Sequence, residues 1–310
     1  MNLELVALQA VLATIVTAST PLLLAALGEL VTERSGVLNL GVEGMMVLGA
    51  VAGFAVALVT GSPYLGILAS ALAGAALAVP FGFLTLNLVA NQVATGLALT
   101  LLGLGLSGLV GEHFVGQPGV RLDKLHLPLL SDIPFVGPIL FGQDILVYAS
   151  LILAFLVYRM IFHSRLGLIL RAVGDNHASA HALGYSVIGV RWGAVLFGGA
   201  LAGLGGGYLS LAYTPQWIEN MTAGRGWIAL ALVVFSSWLP GRLIGGAYLF
   251  GAVTILGFYV QGMGVGVPAQ LLSSLPYIVT IAALVVISKR RGAARADTPA
   301  CLGQSFVPDR

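Results

Sequence analysis

Charge is scarce in this sequence. Of 310 residues, 14 are Lys or Arg and 12 are Asp or Glu, 8% in all, where a soluble domain carries about 25%. So few charges cannot cover the surface of a water-soluble fold of this size, and lipid is the solvent that tolerates the rest. Cysteine is nearly absent: Cys301 stands alone, so no internal disulfide can form. Lysine is limited to Lys124 and Lys289. No GxxxxGK[ST] loop can therefore be written, and the chain holds no nucleotide-hydrolysing P-loop of its own. There is no HExxH and no Cys/His cluster, so no metal site is expected. The basic residues form no patch interleaved with aromatics, and nucleic acid is excluded as a partner. The amino-terminal MNLELVALQA lacks the basic n-region of a cleaved signal, so the first apolar stretch is expected to be retained.

What is present is apolar. Hydrophobic residues make up 58% of the chain, and glycine contributes 42. Small residues let helix backbones approach closely in lipid. A spanning helix needs about 20 mostly apolar residues. Nine stretches qualify: 5–27, 37–59, 64–86, 91–110, 145–161, 192–213, 227–239, 243–261 and 271–288. The seventh is short enough to be tilted or broken. The expected fold is all-α, a polytopic transmembrane bundle of about 8–10 spans, over residues 1–288. If every span crosses and the amino terminus is outside, eleven basic residues fall inside: Arg34, Arg159, Arg165, Arg171, Arg191, Arg242, Lys289, Arg290, Arg291, Arg295 and Arg310. Arg121, Lys124 and Arg225 fall outside. The positive-inside rule favours this orientation, with the carboxy terminus cytoplasmic. Residues 112–144 form an external loop whose four prolines argue against a long helix. Residues 289–310 read as a polar, disordered cytoplasmic tail.

Several motifs invite a functional reading beside a plainer one. The two consecutive GxxxG units Gly199–Gly203 and Gly203–Gly207 suit a tight contact within the chain or a subunit interface. In Glu33-Arg-Ser-Gly-Val-Leu-Asn-Leu-Gly-Val-Glu-Gly44, Asn39 and Glu43 share a face if the helix is continuous, and the glycines permit an unwound stretch instead. Broken helices supply ligand groups in transporters. Alternatively Glu43 is shallow and pairs with Arg34. Asn91, Gln92 and Thr95 either line a pathway, where amides can donate to and accept from a polar solute, or form an ordinary turn. Asn220, Arg225 and Trp227 sit in a Gly-rich stretch ahead of the short seventh span, as interfacial residues or as part of a re-entrant element. The internal loop 163–191 carries Arg171, Gly174, Asp175 and Asn176, then an Ala-rich run with Ala180 and Ala182, then Gly184. Asp175 and Asn176 are good N-caps and Gly184 a natural terminator. A helix over 177–183, too short to be stable alone, makes sense if it docks against another protein.

The loop RAVGDNHASAHALGYSV resembles the coupling segment of the branched-chain amino acid/ribose-type family of ABC-importer permeases. ERSGVLNLGVEGMMVLGA and NMTAGRGWIALALVVFSSWLPGRLIGGAYLFG are similar to two further signatures of its nucleoside/simple-sugar branch. The resemblance runs from about Pro21 to Ser288. The sequence departs from it at Ser236-Ser237, where the family often has Gly followed by a basic or polar residue. The resemblance implies a subunit of the bacterial plasma (inner) membrane forming half of a pathway for a nucleoside or simple sugar. It implies a second permease subunit, often a longer homologue. It further implies a cytoplasmic ABC ATPase, which uses the ATP and Mg while this chain binds no cofactor, and an external solute-binding protein or lipoprotein. The competing reading is a stand-alone secondary transporter or channel. That would need buried coupling carboxylates or histidines, and Glu43 is the one candidate.

Overall fold

The structure is a computed structural model that describes residues 3–126, 128–263, 266, 268–289 and 298–307. All regular elements among these are helical: α1 (Leu3–Arg34), α2 (Val42–Thr60), α3 (Pro63–Gly82), α4 (Gln92–Gly111), α5 (Val136–Leu140), α6 (Ile145–His163), α7 (Arg165–Asp175), α8 (His177–Ala182), α9 (Val187–Tyr208), α10 (Arg225–Phe235), α11 (Pro240–Gly262) and α12 (Ala269–Lys289). Single π-turns extend α3 over Phe83–Asn87 and α9 over Leu209–Tyr213. Seven helices are long and apolar enough to cross a membrane, and α10 and residues 270–282 of α12 are shorter apolar helices. Each of the nine expected stretches contains a helix. Among the described residues, the proline-bearing loop 115–144 holds only the five-residue α5 and a single bridge between Lys124 and Asp144.

Helix α9 runs through the middle, packed on α1, α2 and α3. Its glycines explain how three helices crowd one. Gly198 lies against Gly28, Gly203 against Ser70 and Gly74, and Gly206 against the Met46 carbonyl. A methyl group at any of the three would overlap backbone or side-chain atoms. The GxxxG pair is therefore a contact within the chain. The same contacts fix direction. Gly28 faces Gly198 while Pro21 faces Gly205, so α1 runs antiparallel to α9; Met46 faces Gly206 while Ser210 bonds the Ala50 carbonyl, so α2 runs parallel to it. The α3–α4 turn, the α6–α9 loop and the α10–α11 turn gather at one end of the bundle, here the loop end.

Two expectations change. The second span does not begin at Val37: α2 starts at Val42, and residues 35–41 are non-helical and mostly buried. The polar tail is not all loose. Residues 290–297, including Arg290, Arg291 and Arg295, lie outside the described residues, as does Arg310. Residues 298–307 fold back onto the loop end. The Cys301 N–H donates to the Gly174 carbonyl at 2.8 Å, and the Gly303 N–H to the Gly36 carbonyl at 3.0 Å. Composition could not show this, because the contacts use backbone groups.

Candidate functional site

A buried chain segment without helix must find partners for its backbone elsewhere. In residues 35–41 they come from other elements. The Leu38 N–H donates to Gln92 Oε1 at 2.8 Å, and the Asn39 N–H to Glu29 Oε1 at 3.1 Å. Asn39 Oδ1 accepts from the Gly41 N–H at 2.9 Å, an Asx turn that starts α2. Thr100 Oγ1 donates to the Leu40 carbonyl at 2.9 Å. Asn39 and Glu43 thus do not share a helical face, since Asn39 precedes the helix.

Depth follows from α4. Gln92, its first residue, holds Leu38 at the loop end. Gly44 abuts Leu99, Thr100 and Gly103. At 1.5 Å per residue, Gly103 lies roughly 16 Å further along, near the middle of a hydrocarbon core about 30 Å thick. Glu43 is therefore deep and not shallow. Nor does it pair with Arg34, whose Nε and Nη2 donate to the Trp238 carbonyl at 3.2 and 2.9 Å.

What Glu43 meets is the start of α10. Its Oε1 accepts from Thr222 Oγ1 at 2.6 Å and from the Gly224 N–H at 2.8 Å, and its Oε2 from the Gly226 N–H at 2.5 Å. The first N–H groups of a helix have no intrahelical partner and carry partial positive charge. A carboxylate brought there from another helix satisfies them. No lysine or arginine among the described residues reaches it. Close approach is required: a Cβ on Gly226 would lie 2.6 Å from Glu43 Cα. Arg225, assigned to the outside by the charge count, therefore sits at mid-depth. Its Nη1 donates to the carbonyls of Met221 at 3.0 Å and Thr222 at 3.3 Å, and its guanidinium lies 5.8 Å from the Tyr213 ring centroid. The stretch 214–224 descends to that depth without helix, so the seventh span is broken.

The other expected pathway residues separate. Gln92 and Thr95 are buried beside 38–41. Asn91 is an exposed N-cap accepting from the Ala94 N–H at 2.9 Å. Asn220 is exposed in the turn before α10, and Trp227 is half-buried against the core. A cavity of about 400 Å³ opens beside Arg225 between α1, α10, α11 and α12, with Tyr213, Thr254, Phe258, Gln261 and Tyr277 in its wall. Polar donors among aromatic faces suit a ring-shaped polar solute.

The α6–α9 loop carries two helices where the sequence reading placed one. Asn176 caps α8 by accepting from the Ser179 N–H at 2.9 Å, and Gly184 adopts φ +87° just beyond its end. Gly174 is buried against the Arg34 carbonyl, and Arg171 lies over the Phe162 ring at 5.4 Å. Ala180 is 2% exposed, packed with Val173 and Val187, so it seats the helix. Asp175, Ser179 and Leu183 form the outward face, while Ala178 and Ala182 line a recess with residues 305–307.

Residues 11–286 match the model of the family described as branched-chain amino acid transport system/permease component. The chain belongs to this permease family. It is 40% identical to TsgC13 of Haloferax volcanii, named provisionally as a glucose ABC transporter permease protein, over 94% of this chain and 95% of that one. It is 33% identical to the nucleoside ABC transporter permease protein NupC of Lactococcus lactis, over 94% and 96% of the two chains. It is 32% identical to the guanosine ABC transporter permease protein NupQ of Bacillus subtilis, over 95% of each. No solved structure matches. The permease is thus a multi-pass membrane component of a transport system. Sequence reasoning missed the Glu43–α10 contact and the docked segment 298–307, along with helix α7. The Glu43 contact has no local signal, since Glu43 and its donors are 179 to 183 residues apart.

Proposed function

We propose that this permease forms half of the translocation pathway of an ATP-driven ABC importer for a nucleoside or simple sugar, with an ATPase docking on α8 from the cytoplasm. The observation that carries the pathway reading is the meeting of two broken elements at mid-depth, Glu43 with the start of α10, beside a cavity walled by Arg225, tyrosines and amides. Relatives named for nucleosides and glucose support the substrate class. Charge asymmetry supports the sidedness: the loop end, with α8, faces the cytoplasm of a cell whose plasma membrane holds the chain. A second permease subunit, a longer homologue, completes the pathway. An external solute-binding protein delivers the solute, and the ATPase binds the ATP and Mg. No covalent step is asked of this chain. ATP binding to the partner shifts an inward–outward equilibrium through differential contacts on α8.

The test is reconstitution of the four components in vesicles, followed by uptake of labelled guanosine and glucose. Accumulation of one of them that requires ATP on the α8 side is expected. Uptake that proceeds without the ATPase and follows an ion gradient would instead establish a stand-alone secondary transporter.

A further inference from the structure

Arg191 is 1% exposed at the start of α9, and no carboxylate among the described residues reaches it. Its guanidinium collects acceptors from three separate parts of the chain. Nε donates to the Ser35 carbonyl at 3.2 Å, Nη1 to the Gln304 carbonyl at 2.9 Å, and Nη2 to His177 Nδ1 at 3.3 Å. Ser35 opens the unwound segment, Gln304 belongs to the folded-back segment, and His177 is the first residue of α8. The folded-back segment makes the same connection along its own length. Phe306 rests against the rings of His177 and His181 at 5.2 and 5.3 Å, Cys301 bonds Gly174 at the end of α7, and Gly303 bonds Gly36. Along α8 it lies beside His177, Ala178, His181 and Ala182, and Asp175, Ser179 and Leu183 stay exposed as the surface assigned to the ATPase.

We propose that Arg191 is a positioning residue and that residues 299–306 are a strap, together binding α8 to residues 35–41 so that displacement of α8 moves the segment leading to Glu43. This rests on the reading of α8 as the ATPase contact. A rigid fork with several donors is what such a junction requires; a lysine offers the charge without the geometry. Through α8 alone, motion would pass to residues 35–41 indirectly, by way of Gly174 of α7 or Val187 of α9. The strap and Arg191 add two direct ties.

The test uses the assembled complex in lipid nanodiscs, with Cys301→Ser as background and a single cysteine replacing the half-buried Leu38. In the parent complex, ATP is expected to change the maleimide labelling rate at position 38. Shortening the chain after Asp297, or Arg191→Lys, should abolish that change and lower uptake by about tenfold while the ATPase still copurifies. Phe306→Ala is the milder variant, expected to act in the same direction with the fold intact. An ATP-dependent change that survives both shortening and Arg191→Lys overturns the proposal. Loss of the ATPase from the shortened complex also overturns it, since the strap would then serve docking. Leu183→Asp, on the outward face, separates the two readings. If it leaves ATPase association and uptake unaltered, α8 is not the contact, and the strap's role falls with that assignment whatever position 38 shows.

Discussion

Residues 35–41 are held at each end by one buried charge, and the two ends differ in sign. At mid-depth the carboxylate of Glu43 gathers donors: one hydroxyl and two backbone N–H groups at the start of α10. At the loop end the guanidinium of Arg191 gathers acceptors: two carbonyls and an imidazole nitrogen. Neither meets an opposite side-chain charge. A helix break leaves unsatisfied backbone groups, donors at a helix start and acceptors along a non-helical run, and each break is matched by a charge of the complementary kind. The difference lies in consequence. Glu43 joins two elements at the depth a solute crosses, whereas Arg191 joins elements where a partner protein would push.

That contrast can be broken most forcefully at Glu43. Glu43→Ala leaves three neutral donors without their acceptor, at a cost of about 1–3 kcal/mol for each one left unsatisfied. Loss of folded protein from the membrane fraction and a collapsed melting temperature are expected. Glu43→Gln keeps the shape but turns an N–H toward other N–H groups. A loss of about 2 kcal/mol is expected, with the protein still assembled. If its melting temperature equals the parent's, the carboxylate does not hold α10 as described. Gly203→Leu strikes neither end and tests the helix both depend on. Overpacking against Ser70 and Gly74 should cost about 1–3 kcal/mol in a thermal melt, without selective loss of either junction.

Smaller effects sharpen the Arg191 end. Arginine cannot accept a hydrogen bond, so His177 Nδ1 must be unprotonated where Arg191 donates to it. Burial first, and the charge of Arg191 second, hold the His177 pKa below its ordinary value. A lowered histidine pKa contributes to the docked state above the unfolded value of about 6.5, and that contribution is lost as pH falls through the lower folded value. The groups facing the ring are Arg191 and Phe306, with His181 across that phenyl ring. Protection of the Cys301 and Gly303 amides from hydrogen exchange, corrected for intrinsic rates, should therefore decline as pH falls below the ordinary histidine range. His177→Gln should flatten that decline. Identical pH profiles for the parent and His177→Gln would show that the imidazole is not part of the junction.

The span pattern was legible because it rests on composition and length, both local. So was α8, through Asn176 at one end and Gly184 at the other. Helix α7 also has a local signal, since Leu166, Ile169, Leu170 and Val173 recur at helical spacing. Glu43 could be recognised as unusual but not placed, because its donors lie on a helix distant in sequence. Arg191 registered as one positive charge in a sidedness count, a use of the residue that ignores its fork. The structure gives no reason for serine at the Ser236-Ser237 departure. Ser237 and Trp238 both take positive φ, 53° and 55°, in a turn secured by Arg34 on the Trp238 carbonyl and by Glu33 Oε2 accepting from Trp238 Nε1 at 2.6 Å.

The glycine faces of α9 have one more consequence. Where helices normally meet, side chains mesh like gear teeth and resist slippage along the axis. At Gly198, Gly203 and Gly206 the teeth are missing, and backbone lies on backbone. Such a surface brings helix axes closer than meshed side chains allow. The central helix is a keystone, tied to α1 by Thr32 on the Ala194 carbonyl and to α2 by Ser210 on the Ala50 carbonyl.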